Sequence, residues 1–349
     1  MLAAVIAAPG DIRVEERPDP VLLGPRDAIV RVVAACVCGS DLWPYRGVTP
    51  TRAPHPIGHE LVGVVTAAGE AVTQVAVGDL VISPFSLADG TCQACRAGMP
   101  AACEHVVFFG ARDADGHPTD GAQGELARIP FADSSLVAVP GPVDDALIPS
   151  LLTLADVMST GHHAAVSGRV GPGDVVAVVG DGAVGLCAVL AASRLGAARV
   201  IAFSRHPDRQ ELAREFGATD VIAERGEEGV AALRALLGGD RADVALECVG
   251  TRESMAQALA AVRGGGRVGY VGVPNGGPEL PVRTLFDGNI AVAGGMAPAR
   301  VYIPELLPDV LSGAIDPGRV FDLELPLAEA AEAYRAMDER RAIKVLLRP

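Results

Sequence analysis

Asp174-Val175-Val176-Ala177-Val178-Val179-Gly180-Asp181-Gly182-Ala183-Val184-Gly185 decides the fold class of this chain. The run from Asp174 to Val179 is continuously apolar in texture, the mark of a strand buried on both faces of a sheet. Gly180 to Gly185 then fits G-x-G-x-x-G, a pattern that is weak alone because glycine-rich turns are common. Here it follows a buried strand and opens a helix, Ala183 to Leu195, stopped by Gly196, and that context gives it meaning. Such glycines let backbone approach a pyrophosphate at the positive end of a helix. Gly180, Gly182, Ala183, Val184 and Gly185 are therefore candidate nucleotide-binding residues, with a plain strand-helix turn as the alternative. Downstream, strands are expected at Arg199 to Phe203, Val244 to Glu247, Arg267 to Gly272 and Ile290 to Ala293. A helix is expected from about Pro207 to Phe216. This βαβα alternation implies an α/β fold, a parallel sheet with helices on both faces.

The nucleotide's identity turns on the end of the second strand. NAD sites place an acidic residue about 20 residues beyond the glycines to hold the ribose 2′-hydroxyl. Ser204 stands there, followed by Arg205, and the nearest carboxylate, Asp208, falls inside the next helix. A hydroxyl beside a guanidinium suits a 2′-phosphate, with Arg209 in support. The expectation is NADP(H) over NAD(H); otherwise Arg205 is a solvated surface arginine.

Upstream of about Leu151 the texture differs. Short β patterns at Ala28 to Ala35, Glu60 to Ala68 and Asp79 to Ser83 are bounded by glycine or proline, as in a small turn-rich β domain. The N-terminus, Met1 to Ile12, reads as a strand running into a turn at Pro9-Gly10. The last fifty residues hold a helix near Leu327 to Asp338 and a closing strand, Ala342 to Leu347. Residues 1–155 with 295–349 are expected to form one domain and 156–294 the other.

Two constellations in the first domain carry metal chemistry. Cys38-Gly39-Ser40-Asp41 is followed by Gly58-His59-Glu60, a thiol, an imidazole and a carboxylate, the ligand types of catalytic zinc. Ser40 could hand a proton to or from whatever binds there. Asp156 lies in a segment apolar on nearly every side, where an ionised carboxylate needs a partner such as a divalent metal; an N-cap at the domain junction is the alternative. The second constellation, Asp89-x₂-Cys92-x₂-Cys95-x₇-Cys103, has the spacing of a closed structural zinc site. A carboxylate is a harder and usually weaker zinc ligand than a thiolate. Three free thiols in an exposed loop is the competing reading.

Composition narrows the classes. At 349 residues, half of them apolar, the chain has length and hydrophobicity for two cores. A formal net charge of −14 argues against nucleic acid, whose phosphates are met by Lys/Arg surfaces. No apolar run reaches the roughly 18 residues of a membrane span, and no signal-peptide pattern opens the chain. A cytoplasmic location is expected. Seven cysteines without a secretion signal read as thiols and ligands rather than disulfides. Lys344 is the sole lysine.

With these motifs in their order, the chain resembles the zinc-dependent medium-chain alcohol dehydrogenases along its full length, specifically their bacterial secondary-alcohol-dehydrogenase-like branch. The resemblance implies a GroES-like catalytic domain joined to a Rossmann domain. It implies catalytic zinc on Cys38, His59 and Asp156, with Glu60 an additional or exchanging ligand, and structural zinc in the four-ligand lobe. Lys344, in Ala342-Ile343-Lys344-Val345, matches a basic residue that approaches the cofactor pyrophosphate in relatives. The implied partners are a small alcohol, aldehyde or ketone and a second copy of the chain, as homodimer or homotetramer. A zinc-free quinone or enone reductase on the same fold, and a non-catalytic NADPH-binding protein, are the rival readings. Two departures stand out. The lobe begins with Asp89 where the family has cysteine, and Trp43 replaces a histidine that many relatives use in proton relay. An indole can donate a hydrogen bond but cannot titrate.

Overall fold

The structure, a computed structural model, describes residues 1–50, 54–113, 115–274 and 280–349. The chain divides into two compact units, Met1–Asp156 with Pro298–Pro349, and Val157–Ala297.

The first unit is built around a seven-stranded sheet. Its path runs Val137–Ala138, Leu80–Ser83, Leu61–Ala68, Ala28–Cys36, Lys344–Arg348, Phe321–Pro326, and Leu126–Ile129 pairs with Ala28–Cys36 off that path. Ala28–Cys36 is the hub, antiparallel to three neighbours. All of its residues except Arg31 and Val33 are buried, so it is covered on both faces, as its Val/Ala content dictates. The C-terminal strand Lys344–Arg348 enters this sheet through Leu346 opposite Cys36 and Leu347 opposite Ala35. That pairing sets Lys344 beside the segment that follows Cys36, where Val37 N–H also donates to the Val345 carbonyl. Amphipathic helix Ala330–Asp338 buries Ala333, Tyr334 and Met337 in a core with Ile6, Val37, Leu42 and Val345. The sequence placed this helix from Leu327; its first turn, Leu327–Glu329, is 3₁₀.

The second unit is a six-stranded parallel sheet in the order Asp220–Ile222, Arg199–Phe203, Val175–Val179, Ala242–Glu247, Val262–Tyr270, Ala291–Gly294. Strand order reverses beside Val175–Val179, which makes the carboxyl end of that strand the topological switch point where such sheets bind ligands. Helix Ala183–Arg194 springs from there. Val262–Tyr270 starts earlier than the expected Arg267 to Gly272 strand: Val262 pairs with Ala242, and the chain then bulges through residues 264–266, with Gly265 at φ +71°, before the ladder resumes at Arg267. The bulge shows as an irregular register between Ala242 and Val244 on the neighbouring strand.

Candidate active site

Cys38 lies just beyond the hub strand, at the start of a turn whose backbone bonds run from Asp41 N–H to the Cys38 carbonyl and from Leu42 N–H to the Gly39 carbonyl. The turn is fixed from inside by Asp41, whose Oδ2 accepts the Cys38 N–H at 3.0 Å and Gln123 Nε2 at 3.3 Å. Gln123 in turn donates to the Cys36 carbonyl and accepts from the Tyr334 hydroxyl. His59 reaches the same place from the chain after His55–Pro56. Gly58 precedes it at φ +90°, and a Cβ there would collide with the Gln123 side chain, so only glycine carries the chain past this network.

These turns bring four donors together. One ligand atom each from Cys38, His59, Glu60 and Asp156 lies within 4.8 Å of the others. Asp156 Oδ2 is 3.6 Å from Cys38 Sγ and 3.4 Å from His59 Nε2. His59 Nε2 is 4.0 Å from Glu60 Oε1, while Nδ1 sits 3.2 Å from Asp41 Oδ1. A carboxylate on one ring nitrogen leaves the other turned to the donor cluster, the arrangement that orients metal-ligating histidines. Glu60 is fully buried; its Oε1 meets Lys344 Nζ at 2.7 Å and its Oε2 has no partner. The Lys344 ammonium also donates to the Val37 carbonyl. The lysine that the resemblance put at the cofactor pyrophosphate is thus 1 % exposed and engaged with a carboxylate of the donor cluster.

The electrostatics are those of a crowded acidic pocket. Burial, then the Asp156 charge, pushes the Cys38 thiol up. Burial also raises Glu60, against the pull of Lys344. For His59 burial works against the charged ring, yet Asp41, Cys38 and Asp156 hold its pKa well above the ordinary imidazole range. Lys344 is likewise held high against burial by Cys36, Glu60 and Cys38. Three acidic groups, one of them with an orphaned buried oxygen, make a pocket a divalent cation would neutralise, and such an ion would deprotonate the thiol. The donor set fits zinc in its kinds of atoms. Ser40 and Trp43 are both half-buried, Ser40 on the turn and Trp43 in helix Leu42–Tyr45.

Asp89, Cys92, Cys95 and Cys103 form a second cluster, again with ligand atoms within 4.8 Å. Asp89 Oδ1 accepts from the backbone of Thr91 and Cys92 and lies 3.5 Å from Cys95 Sγ. Its Oδ2 is 2.6 Å from His105 Nδ1. Burial opposes the Asp89 charge, but His105 and the amides outweigh it and hold the carboxyl below its usual range. The Cys95 and Glu104 amides pull Cys92 down to about 7. A third group, Asp113, Asp115 and His117, also has ligand atoms within 4.8 Å of one another, but Asp115 is exposed and Asp113 is already engaged by Arg128 at 2.7 Å.

In the second unit, a Cβ at Gly185 would collide with the Gly180 carbonyl oxygen, so this residue allows the helix to start tight against the turn. Nothing lies within 4 Å of where a Cβ would stand at Gly182, which leaves an open approach to the helix N-terminus, as a pyrophosphate requires. Ser204 is 1 % exposed and its hydroxyl donates to Asp181 Oδ2 at 3.0 Å. Arg209 Nη1 donates to the Asp181 carbonyl at 3.2 Å, whereas Arg205 is exposed.

Sequence reasoning missed Asp41, Gln123, His105 and Asp181. Asp41 and His105 carried a signal, each within three residues of a metal-type cysteine. Asp181 sat inside the quoted motif as an unread x. Gln123 carried none, since its partners are distant in sequence.

Comparison with known proteins agrees with this geometry. A family model described as alcohol dehydrogenase GroES-like domain matches residues 24–141, and one described as zinc-binding dehydrogenase matches residues 183–312. The chain belongs to the zinc-dependent medium-chain dehydrogenase family, oxidoreductases that work with a pyridine nucleotide. Among its relatives, Rv1895 of Mycobacterium tuberculosis is 38 % identical over all of this chain and 89 % of its own length. Alcohol dehydrogenase TADH from Thermus sp. ATN1 superposes with a TM-score of 0.91 at 36 % identity, covering 100 % of this chain and 99 % of that one. A Sinorhizobium meliloti protein solved bound to NADP aligns with a TM-score of 0.83 at 26 % identity, over 100 % and 99 % of the two chains. No described helix is long and apolar enough to cross a membrane.

Proposed function

We propose that this chain catalyses reversible hydride transfer between a small alcohol and its aldehyde or ketone, with NADP(H) preferred and zinc held by Cys38, His59 and Asp156. The observation that carries the reading is the convergence of four donor side chains, one ligand atom of each within 4.8 Å of the others, with Glu60 Oε2 buried and unpartnered. When bound, zinc supplies Lewis acidity to an alcohol or carbonyl oxygen, and the nicotinamide ring carries the hydride. Everything else falls to the chain's own residues. Asp41 fixes the His59 ring and, through the Cys38 amide, the turn that carries the thiol. Lys344 holds Glu60 by one oxygen, which suits Glu60 to a conditional rather than a permanent ligand role. Ser40, two residues past Cys38, is the hydroxyl that takes the proton of the reacting group. Trp43 does not extend that path, because an indole does not titrate. Asp89, Cys92, Cys95 and Cys103 hold a structural zinc. Ser204, Arg205 and Arg209 favour the 2′-phosphate, and the NADP found in the Sinorhizobium relative is consistent with that preference. The intact donor cluster counts against a zinc-free reductase.

A panel of primary and secondary alcohols, polyols and aldehydes tests the reaction through the NADPH absorbance band. Alcohol-dependent NADPH formation, lost with a chelator and restored by zinc, is expected. Cys38→Ala should abolish turnover while leaving NADPH binding nearly intact; retained turnover would refute the zinc role. Ser40→Ala should lower kcat by about 10²-fold, in the range for a positioned proton-transfer group, and an unchanged kcat would exclude it.

A further inference from the structure

The adenosine end of the nucleotide site contains a carboxylate after all. Val179 pairs with Phe203 in the parallel sheet, so the two chains leave their strands side by side, and Asp181 meets Ser204 one step beyond. Asp181 Oδ2 takes the Ser204 hydroxyl at 3.0 Å. Its Oδ1 faces Arg209 Nη1 at 3.6 Å and Arg225 Nη2 at 3.7 Å. The Asp181 side chain is 10 % exposed and that of Arg209 13 %, so these charges face one another with little water between them. Gln210 steadies the arrangement by donating to the Ser204 carbonyl at 2.8 Å.

We propose that Asp181 sets the balance between the two nicotinamide cofactors, its carboxylate opposing a 2′-phosphate and accepting the 2′-hydroxyl of NAD(H). The proposal rests on reading Gly180 to Gly185 as the dinucleotide turn. A 2′-phosphate can recruit Ser204, Arg209 and Arg225 only by contending with a carboxylate that already holds all three. A 2′-hydroxyl is a donor, and Asp181 is the acceptor that the end of the second strand lacks. The same residue therefore weakens one cofactor and strengthens the other, and the preference for NADP(H) sits below what the surrounding arginines alone would give.

Calorimetric titration of the zinc-loaded full chain with NAD⁺ and NADP⁺, which differ only in the 2′-phosphate, tests this without turnover. In Asp181→Asn the ratio of the NAD⁺ to the NADP⁺ dissociation constant should rise at least tenfold over wild type. Asp181→Ser, which also removes the charge but shortens the side chain, should move it the same way. A ratio that shifts less than tenfold in both variants, or shifts toward NAD⁺, overturns the role of Asp181. The wild-type ratio separately tests the NADP preference. Failure of the wild type to bind either nucleotide would sink the dinucleotide reading, and this proposal with it.

Discussion

At the scale of single residues, the most demanding contact is Lys344 against Glu60, both at or below 1 % exposed and 2.7 Å apart. Two opposite charges out of water make a poor source of net stability, yet removing one partner leaves the other stranded, at about 3–5 kcal/mol. Lys344→Met should therefore lower unfolding stability in urea by about 3 kcal/mol or more. Adding Glu60→Gln to it should recover much of that loss, because the stranded charge is gone. If the single variant loses under about 1 kcal/mol, Glu60 has another counter-charge and the pair is not what neutralises it. This pair was not legible in the sequence, although both residues had been singled out. Lys344 and Glu60 are 284 positions apart, and only the strand pairing of Lys344–Arg348 with Ala28–Cys36 brings the ammonium to the donor cluster. Cys38, His59 and Glu60, by contrast, announced themselves by residue type and short spacing, and Asp156 by a charge in apolar surroundings. What stayed hidden was the support behind them, Asp41 and Gln123, whose hydrogen bonds depend on tertiary geometry that no spacing rule encodes.

At the scale of elements, the segment from Asp89 to Cys103 brings its four donor side chains together with little regular structure. It comprises one short helix, Gln93–Arg96, and one 3₁₀ turn, Pro100–Ala102, and Ala101 is the sole buried residue of the two. With so little apolar burial, the stability of the lobe rests on its polar cluster and on a metal that would bind the folded state alone. Asp89 Oδ1 accepts from the Cys95 thiol while His105 occupies Oδ2, so the imidazole directs the carboxylate toward acting as a single-oxygen ligand. His105→Ala should accordingly lower zinc affinity of this site by about 10–100-fold, the usual effect of losing such an outer partner. Zinc counted by mass spectrometry after dialysis against graded chelator reads this, with wild type holding two ions per chain and the variant losing one at lower chelator. Equal retention would remove His105 from the account. Asp89→Cys should shift retention the other way, since thiolate suits zinc better than carboxylate. The strands and helices around the glycine motif were legible. Continuous Val/Ala runs marked the parallel strands, and glycines marked where helices stop. The helices Gly226–Leu236, Arg252–Ala261 and Ala299–Leu311 were not placed, nor was the start of Val262–Tyr270, where the chain bulges between Val262 and Arg267 with Gly265 at φ +71°, a conformation that glycine adopts without strain.

At the scale of the whole molecule, the parallel sheet ends in a strand that invites a partner. Ala291–Gly294 pairs with Val262–Tyr270 on one side, and three of its four residues are exposed. Proteins blunt such edges with charge, proline or a covering element, and Ala-Val-Ala-Gly has neither a charge nor a proline. Apolar side chains stand exposed in the preceding helix, Val282 at 71 % and Phe286 at 76 %. Large exposed apolar groups beside an open strand edge mark a surface that associates. Antiparallel pairing of this strand with its own copy would satisfy a two-fold axis, the commonest symmetry of soluble oligomers, and would join two sheets into one. The chain should therefore run as a homodimer, or a tetramer built from such dimers, in size-exclusion chromatography with light scattering. Ala293→Lys together with Phe286→Glu should give a monomer with unchanged far-ultraviolet circular dichroism, because neither residue belongs to the buried core. A wild type that runs as a monomer would overturn the edge pairing. An oligomer that survives both charges would place the contact on another face of the molecule.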